Sequence, residues 1–489
     1  MLTLLIFIPL LAAIGILLGS PARLTARVAA FAELLISCRL FFAYDRSLGG
    51  FQFESSFSIA PEWKLGYAVG VDGLSLLMLL LTGIVTFAAI WLTPKVEKRE
   101  PLFYACLLLI SAGAAGAFAS VDLFFLYAFH ELALIPTFLL IGLWGSGERQ
   151  TAAWKITIYL GLGSFILLIG LLDLYFAFPE AVRTFNLIDL QKLASSGVIP
   201  AAAQCRPYLL LLVGFGILVS LFPFHSWAPA AYASAPTPAA MLHAGVLKKF
   251  GLYGLMRIAI PMLPEGAKYW ANLLLILLVG NIIYVGLVTI AQKKLDFLLG
   301  NSSVMHMGYI FLGVAAMNVI GLSGAALLMF AHGLSIAALF AMAGMLRTQR
   351  PGLAIDSFGG LAKPMPALAF AFGLAAFASI GLPGFANFAS EMTVFFGAYQ
   401  PAAGLDPGNF HLAVILGLWG VVISAVYMLR AYRAIFMGTP SKEVATWPDP
   451  FPALRWPVVI LLSVLMVVGF FPGKFLDLLK PTFESVLLK

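Results

Sequence analysis

The chain has 489 residues, 62% of them hydrophobic and only 10% charged, with a formal charge of +7 and a mean hydropathy of +0.99. Soluble domains run nearer roughly one-quarter charged, so this composition excludes a water-soluble enzyme or binding module and reads as a polytopic membrane protein. The positive charge calls for no nucleic acid, because lysine and arginine collect on the cytoplasmic side of membrane proteins. Three cysteines, none in a CxxC or Cys/His cluster, argue against a metal site or a disulfide framework, and no cofactor is expected.

The first apolar stretch, 1–19, lacks a basic leader and a small-x-small cleavage site, so it reads as a retained span and not a signal peptide. Runs long enough to cross a hydrocarbon core about 30 Å thick follow in order. They lie near 2–19, 24–43, 71–93, 102–119, 121–143, 153–178, 207–228, 236–258, 269–291, 301–319, 321–346, 364–398, 410–436 and 456–478. The expected fold is an all-α membrane protein of about 14 helices. The polar interruptions 44–68 and 180–206 are too short for a globular domain, and Leu187–Ala194 ("LIDLQKLA") has the pattern of an interfacial amphipathic turn.

Orientation follows from lysine and arginine. Segments after odd-numbered spans hold Arg23, Arg27, Lys95, Lys98, Arg99, Arg149, Lys293, Lys294, Arg347, Arg350, Arg430 and Arg433 among others, about twice the number on the opposite side. The positive-inside rule puts these segments in the cytoplasm and both termini outside, periplasmic for a bacterial inner membrane.

Two spans carry proline, glycine and small residues at membrane depth, "SLFPFHSWAPAAYASAPTP" (220–238) and "ASIGLPGFANFASE" (378–391). Proline removes a backbone bond and clashes with the preceding turn, so the seventh and twelfth helices should be discontinuous. They sit five spans apart. That spacing suggests N-terminal helices in 1–100, one five-helix repeat in 101–260, a second, inverted repeat in 261–440, and a last helix in 441–489. This is the pattern of a transporter whose site lies at the breaks.

An ionisable group inside a span costs on the order of 3 kcal/mol and by default signals function. Glu131 lies mid-span beside His130 and five residues before Pro136. Burial favours its neutral form and a nearby cation its charged form, the balance a proton carrier needs. Lys248 and Lys249 interrupt "MLHAGVLKKFGLYGLMR" (241–257), too deep to snorkel. Successive helical residues point about 100° apart, so one lysine is expected to face a relay partner and the other to be an ion-pair partner. Glu391 is the only acid in the second broken span. Of six histidines, five (His130, His225, His243, His306 and His332) fall in or beside spans, and imidazole both titrates near neutral pH and relays through two nitrogens. Acid, lysine, histidine and acid in series form the layout of a proton wire.

At these residues the chain resembles the antiporter-like proton-translocating subunits of respiratory complex I, closest to the M type of bacterial NADH:quinone oxidoreductase. "VGVDGLSLLMLLLT", "LFPFHSWAPAAYASAPTP", "AGVLKKFGLYGLMR", "NSSVMHMGYIFLG", "AHGLSIAALFAMAGML" and "FGGLAKPMPALAFAFGLAAFASIGLPGFANFASE" match family blocks in family order. The resemblance implies 14 helices in two inverted five-helix repeats. It places the fifth-helix glutamate on Glu131, the eighth-helix lysine on Lys249, the relay histidines on His306 and His332, and the twelfth-helix acid on Glu391. Lys248 is then an extra without a family role. One position departs. Where the family has a seventh-helix lysine paired with the fifth-helix glutamate, this chain has Leu218. His130, His225, His243 or Lys248 could substitute for that cation; the favoured expectation is a histidine, His225 or His243, reaching Glu131 directly or through one water.

The function expected from these residues is proton translocation within an NADH:quinone oxidoreductase, with redox chemistry in other subunits and no flavin, cluster or quinone held here. Its partners would be other membrane subunits, including neighbouring antiporter-like ones, the bilayer and protons. The same residues would also suit a cation/proton antiporter, a membrane-bound hydrogenase or an inorganic-carbon uptake complex.

Overall fold

The computed structural model describes residues 1–47, 50–63 and 65–487. Among these residues, nine helices are each long and apolar enough to cross a membrane. They are Gly73–Leu92, Glu100–Ala119, Leu123–Trp144, Arg149–Ala177, Ala201–Val219, Pro264–Ile290, Leu295–Ala315, Val319–Gln349 and Pro407–Phe436. Lipid offers no partner to a backbone N–H, so a spanning chain satisfies its own as helix. Gly73–Leu92 and Val319–Gln349 are apolar or small on every face and buried along their apolar lengths, as a helix with neighbours all round must be. Arg149–Ala177 and Pro407–Phe436 instead turn Trp154, Phe165 and Trp419 outward.

Two breaks divide otherwise apolar helices. Ala201–Val219 stops at Ser220, whose φ is +70°, and helix resumes at Trp227–Ser234. Pro366–Ile380 stops at Gly381, and helix resumes at Ala386–Tyr399. Between them, helix continues through 237–262 with two π turns, His243–Leu247 and Leu255–Ala259.

Three expectations need correction. The chain is not all helix: Gln52–Ala60 and Leu65–Val71 pair as an antiparallel hairpin with Ser55 opposite Val69 and Phe57 opposite Tyr67. Mean hydropathy hides this element, because a strand alternates and averages to neutral. The region 187–194 is a full helix, Leu187–Ser195, capped by the Asn186 side chain and seated on Leu187 and Leu190. The last expected span, 456–478, straddles a bend of 78° between Leu454–Phe470 and Pro472–Ser485. Pro472 cannot continue the first arm, and Gly73 N donates to Thr482 Oγ1 at 3.0 Å to dock the second. The final two residues, the end of the terminus expected outside, lie beyond the described residues.

Candidate functional site

The helix over 237–262 brings both lysines into the interior. In its first π turn Lys248 N donates to His243 O at 3.1 Å, an i→i+5 bond. A widened turn re-aims the side chains that follow it. Lys249 Nζ donates to Ala244 O at 2.5 Å and lies 3.1 Å from His332 Nδ1. Lys248 Nζ donates to Ser303 Oγ at 3.4 Å and sits 5.7 Å from the centre of the Tyr232 ring. Both lysines are buried against different helices and only Lys249 meets a histidine; in place of the expected ion pair, Lys248 has a hydroxyl and no carboxylate partner among the described residues.

Two glycines set the Lys249–His332 approach. A Cβ on Gly333 would meet Gly245 O at 2.6 Å, and one on Gly245 would meet Gly333 O at 3.2 Å. The two backbones touch where any larger residue would hold them apart.

From His332 the series continues to His306, with ring centres 5.7 Å apart. His306 lies between two carbonyls, Nδ1 2.8 Å from Ser302 O and Nε2 2.9 Å from Ser379 O. A neutral imidazole has one N–H and can satisfy one of them; a second proton satisfies both. Ser379 O is free for this because the residue four positions on is Pro383, which has no N–H. Beyond the break, Glu391 is buried, with Oε2 packed against Gly381. The Tyr427 hydroxyl lies 2.7 Å from Ser302 Oγ.

The first break is stitched by a residue that sequence reasoning missed. Asn281 Nδ2 donates to Ser220 O and to Val304 O, both at 3.0 Å, and Asn281 Oδ1 accepts from Phe222 N at 2.7 Å. A neutral amide in an apolar run carries no charge signal, so only the prolines opposite it hinted at the need.

At the other end, Glu131 accepts from Ser164 Oγ, which is 3.2 Å from the Tyr127 hydroxyl. The imidazole beside it is its chain neighbour His130, Nδ1 to Oε1 3.6 Å, and that ring stacks on Phe250 at 4.0 Å. An imidazole does stand beside Glu131, as expected, but it is His130 and not the favoured His225 or His243. His225 packs against Phe222 and Tyr284, on the far side of the proline break. His243 has Nδ1 3.2 Å from the Tyr232 hydroxyl. It shares with His130 and Leu218 the lining of a cavity with about 10 Å³ open to a water centre, the least that holds one water. Leu218 thus lines the same cavity as the two imidazoles.

A second buried pair was also missed. Arg257 Nη2 donates to Asp72 Oδ1 at 2.5 Å, with both side chains buried. The Tyr253 hydroxyl, 2.9 Å from Ser75 Oγ, accepts from Arg257 Nε at 3.4 Å. Their separation of 185 positions gives no local signal. Asp72 also caps its helix by accepting from Ser75 N, so the pair locks the 73–92 helix to the 237–262 helix.

Residues 120–406 match the family described as NADH:quinone oxidoreductase/Mrp antiporter, transmembrane. The chain is 37% identical over 443 residues to NAD(P)H-quinone oxidoreductase chain 4-2 of Synechocystis sp., covering 89% of this chain and 78% of that one. It superposes on a chain of respiratory complex I from Thermus thermophilus with a TM-score of 0.89 at 29% identity, each covered over 100% of its length. A chain of the Mrp complex from Dietzia sp. shares the fold, with a TM-score of 0.85 at 22% identity over 99% of this chain and 97% of that one.

Proposed function

This chain belongs to the NADH:quinone oxidoreductase/Mrp antiporter family of membrane subunits, and we propose that it moves protons within a quinone-reducing complex, driven by redox chemistry in other subunits. One observation carries this reading. Polar groups recur through the apolar interior: half-buried Glu131 meets His130, a one-water cavity joins His130 and His243, Lys249 meets His332, and the His332 and His306 rings lie 5.7 Å apart, with Lys248 and Glu391 also buried. Buried ionisable groups are too costly to keep for packing alone.

Each member has a distinct task. Glu131 and His130 load a proton at one end, and the cavity passes it to His243 beside Tyr232. Lys249 holds its proton between Ala244 O and His332; transfer to the imidazole reverses the bond to His332 and turns the charge-assisted bond to Ala244 O into a weaker neutral one, which sets a threshold. His306 receives it between two carbonyls and passes it to Glu391 across the second break. Lys248, bonded to Ser303, supplies a fixed positive field that favours forward release from Lys249.

The same reading divides the chain into about 14 spans, with five-helix units over 101–260 and 261–440 in inverted order. In support, each unit is interrupted once, and each interruption has a freed carbonyl taken by a side chain, Asn281 or His306. The lysines and arginines near 94–99 and 347–350 support a cytoplasmic placement of those loops in a plasma membrane, with both termini outside.

Glu131 is 36% exposed on a face that carries Ile135, Trp154, Ile158 and Phe165. A carboxyl turned toward lipid is expensive, so a neighbouring membrane subunit covers this face. Proton uptake by vesicles that hold the assembled complex, with Lys249→Ala as the variant, tests the relay.

A further inference from the structure

A wide cavity lies away from the relay, at the end of the helices proposed as cytoplasmic. It is lined by the segment Trp91–Arg99, by Arg23 and Arg27 one turn apart, and by Phe103, Leu143 and Trp144. The start of the 237–262 helix, residues 341–348 and Leu454 complete its walls. Its volume of about 940 Å³ is at the upper end of small-molecule sites.

Charge in this cavity is one-sided. Arg23, Arg27, Lys95, Lys98, Arg99 and Arg347 face one acid, Glu97. Arg347 is already committed, to Asp296 at 3.3 Å and to Ala233 O and Ala235 O at 3.1 Å each. The rest have no carboxylate partner among the described residues. The positive-inside rule accounts for cations in exposed loops, but not for those drawn inward. Arg23 and Arg27 are drawn inward: their Nε atoms are buried with no hydrogen-bond partner among the described residues. Arg23 Nη2 reaches only Thr93 O, at 3.3 Å, and the Arg27 guanidinium lies 5.0 Å from the centre of the Trp91 ring. A buried, unpartnered guanidinium N–H is costly.

We infer that this cavity binds an anionic phospholipid of the adjoining leaflet, with its phosphodiester at Arg23 and Arg27 and its acyl chains against Trp91, Phe103 and Leu143. Guanidinium groups pair with phosphate oxygens through two N–H donors at once. The apolar walls open toward the bilayer side, where Trp91 and Leu143 are exposed, so a bare phosphate would leave them unused. The lipid would wedge the 22–43 helix against the loop after the 73–92 helix, a brace for the unit that carries the relay.

The test uses the assembled complex, washed free of loose lipid in mild detergent and titrated with phosphatidylglycerol or phosphatidylcholine, with retained lipid counted by native mass spectrometry. The unchanged complex is expected to retain phosphatidylglycerol. Arg23→Gln with Arg27→Gln is expected to need roughly thirtyfold more of it for half-saturation, at about a fivefold loss per cation, while Arg430→Gln, outside the cavity, changes nothing. If the double variant fails to assemble, Lys98→Gln with Arg99→Gln, on the exposed loop, is expected to show a smaller loss in the same direction. Equal retention by wild type and variants, equal retention of phosphatidylcholine, or full displacement by soluble glycerol phosphate would each overturn the proposal.

Discussion

Lys249 and His332 lie 3.1 Å apart because Gly245 and Gly333 let their two backbones touch. A methyl group on Gly333 would sit 2.6 Å from Gly245 O, and backbone atoms cannot yield as a flexible side chain can. Overpacking of this kind costs about 1–3 kcal/mol. Gly333→Ala is therefore expected to leave an assembled but less heat-stable complex whose pumping falls more than its quinone reduction. Proton uptake per electron in vesicles reads this directly; an unchanged ratio would mean that the contact is not needed.

The second break makes a paired prediction. Gly381 and Gly384 both have positive φ, +83° and +97°, so alanine strains either by roughly 1–3 kcal/mol. Only at Gly381 would the new Cβ also meet the Glu391 carboxylate; at Gly384 the nearest atom is on Phe470, 3.8 Å away. Gly381→Ala is expected to abolish most pumping, and Gly384→Ala to retain the larger share. Equal losses in the two variants would assign the effect to strain alone.

Leu218 lines the cavity that His130 and His243 share. His130→Leu is expected to slow proton uptake, because Glu131 loses the one imidazole beside it. Leu218→Lys in that background is expected to restore part of the rate. A cation about 4 Å from the carboxylate is worth on the order of 4 kcal/mol at an effective dielectric near 20, before desolvation. His225→Ala, whose ring faces Phe222 and Tyr284, is expected to pump at close to the normal rate. Failure of the lysine to rescue would show that Glu131 does not use a cation from this cavity.

Orientation is tested by labelling single cysteines in a chain whose three natural cysteines are replaced. An impermeant maleimide added outside is expected to modify Ser56→Cys, on the exposed hairpin, and not Glu97→Cys. The reverse pattern would invert the topology and move the cationic cavity to the outer leaflet.

The relay's charged members were legible because a charge in an apolar run needs no alignment to be seen. Glu131, Lys248, Lys249, His306, His332 and Glu391 all announce themselves against leucine and alanine. Prolines marked the breaks for the same reason, since their missing N–H is a property of the residue. What the sequence did not disclose depends on relationships. The π turn at His243–Leu247 has no residue signature, so the partners that each lysine would meet were unreadable. Asn281 looks like any neutral polar residue until Ser220 O and Phe222 N stand opposite it. Asp72 was not singled out, because holding Arg257 depends on tertiary packing. The hairpin escaped because a window long enough to find membrane helices averages out a period of two.

The most direct measurement is proton uptake by vesicles containing the complex with Lys249→Ala, taken alongside its quinone reduction and its subunit content. Lys249 has Ala244 O and His332 as its partners. Alanine in its place is cheap for a membrane helix, so assembly is expected to survive. The relay predicts loss of most pumping, on the order of tenfold or more as for a lost acid–base group, with Glu131→Ala alike and Glu131→Asp partly active. Normal proton uptake by an assembled Lys249→Ala complex would contradict it.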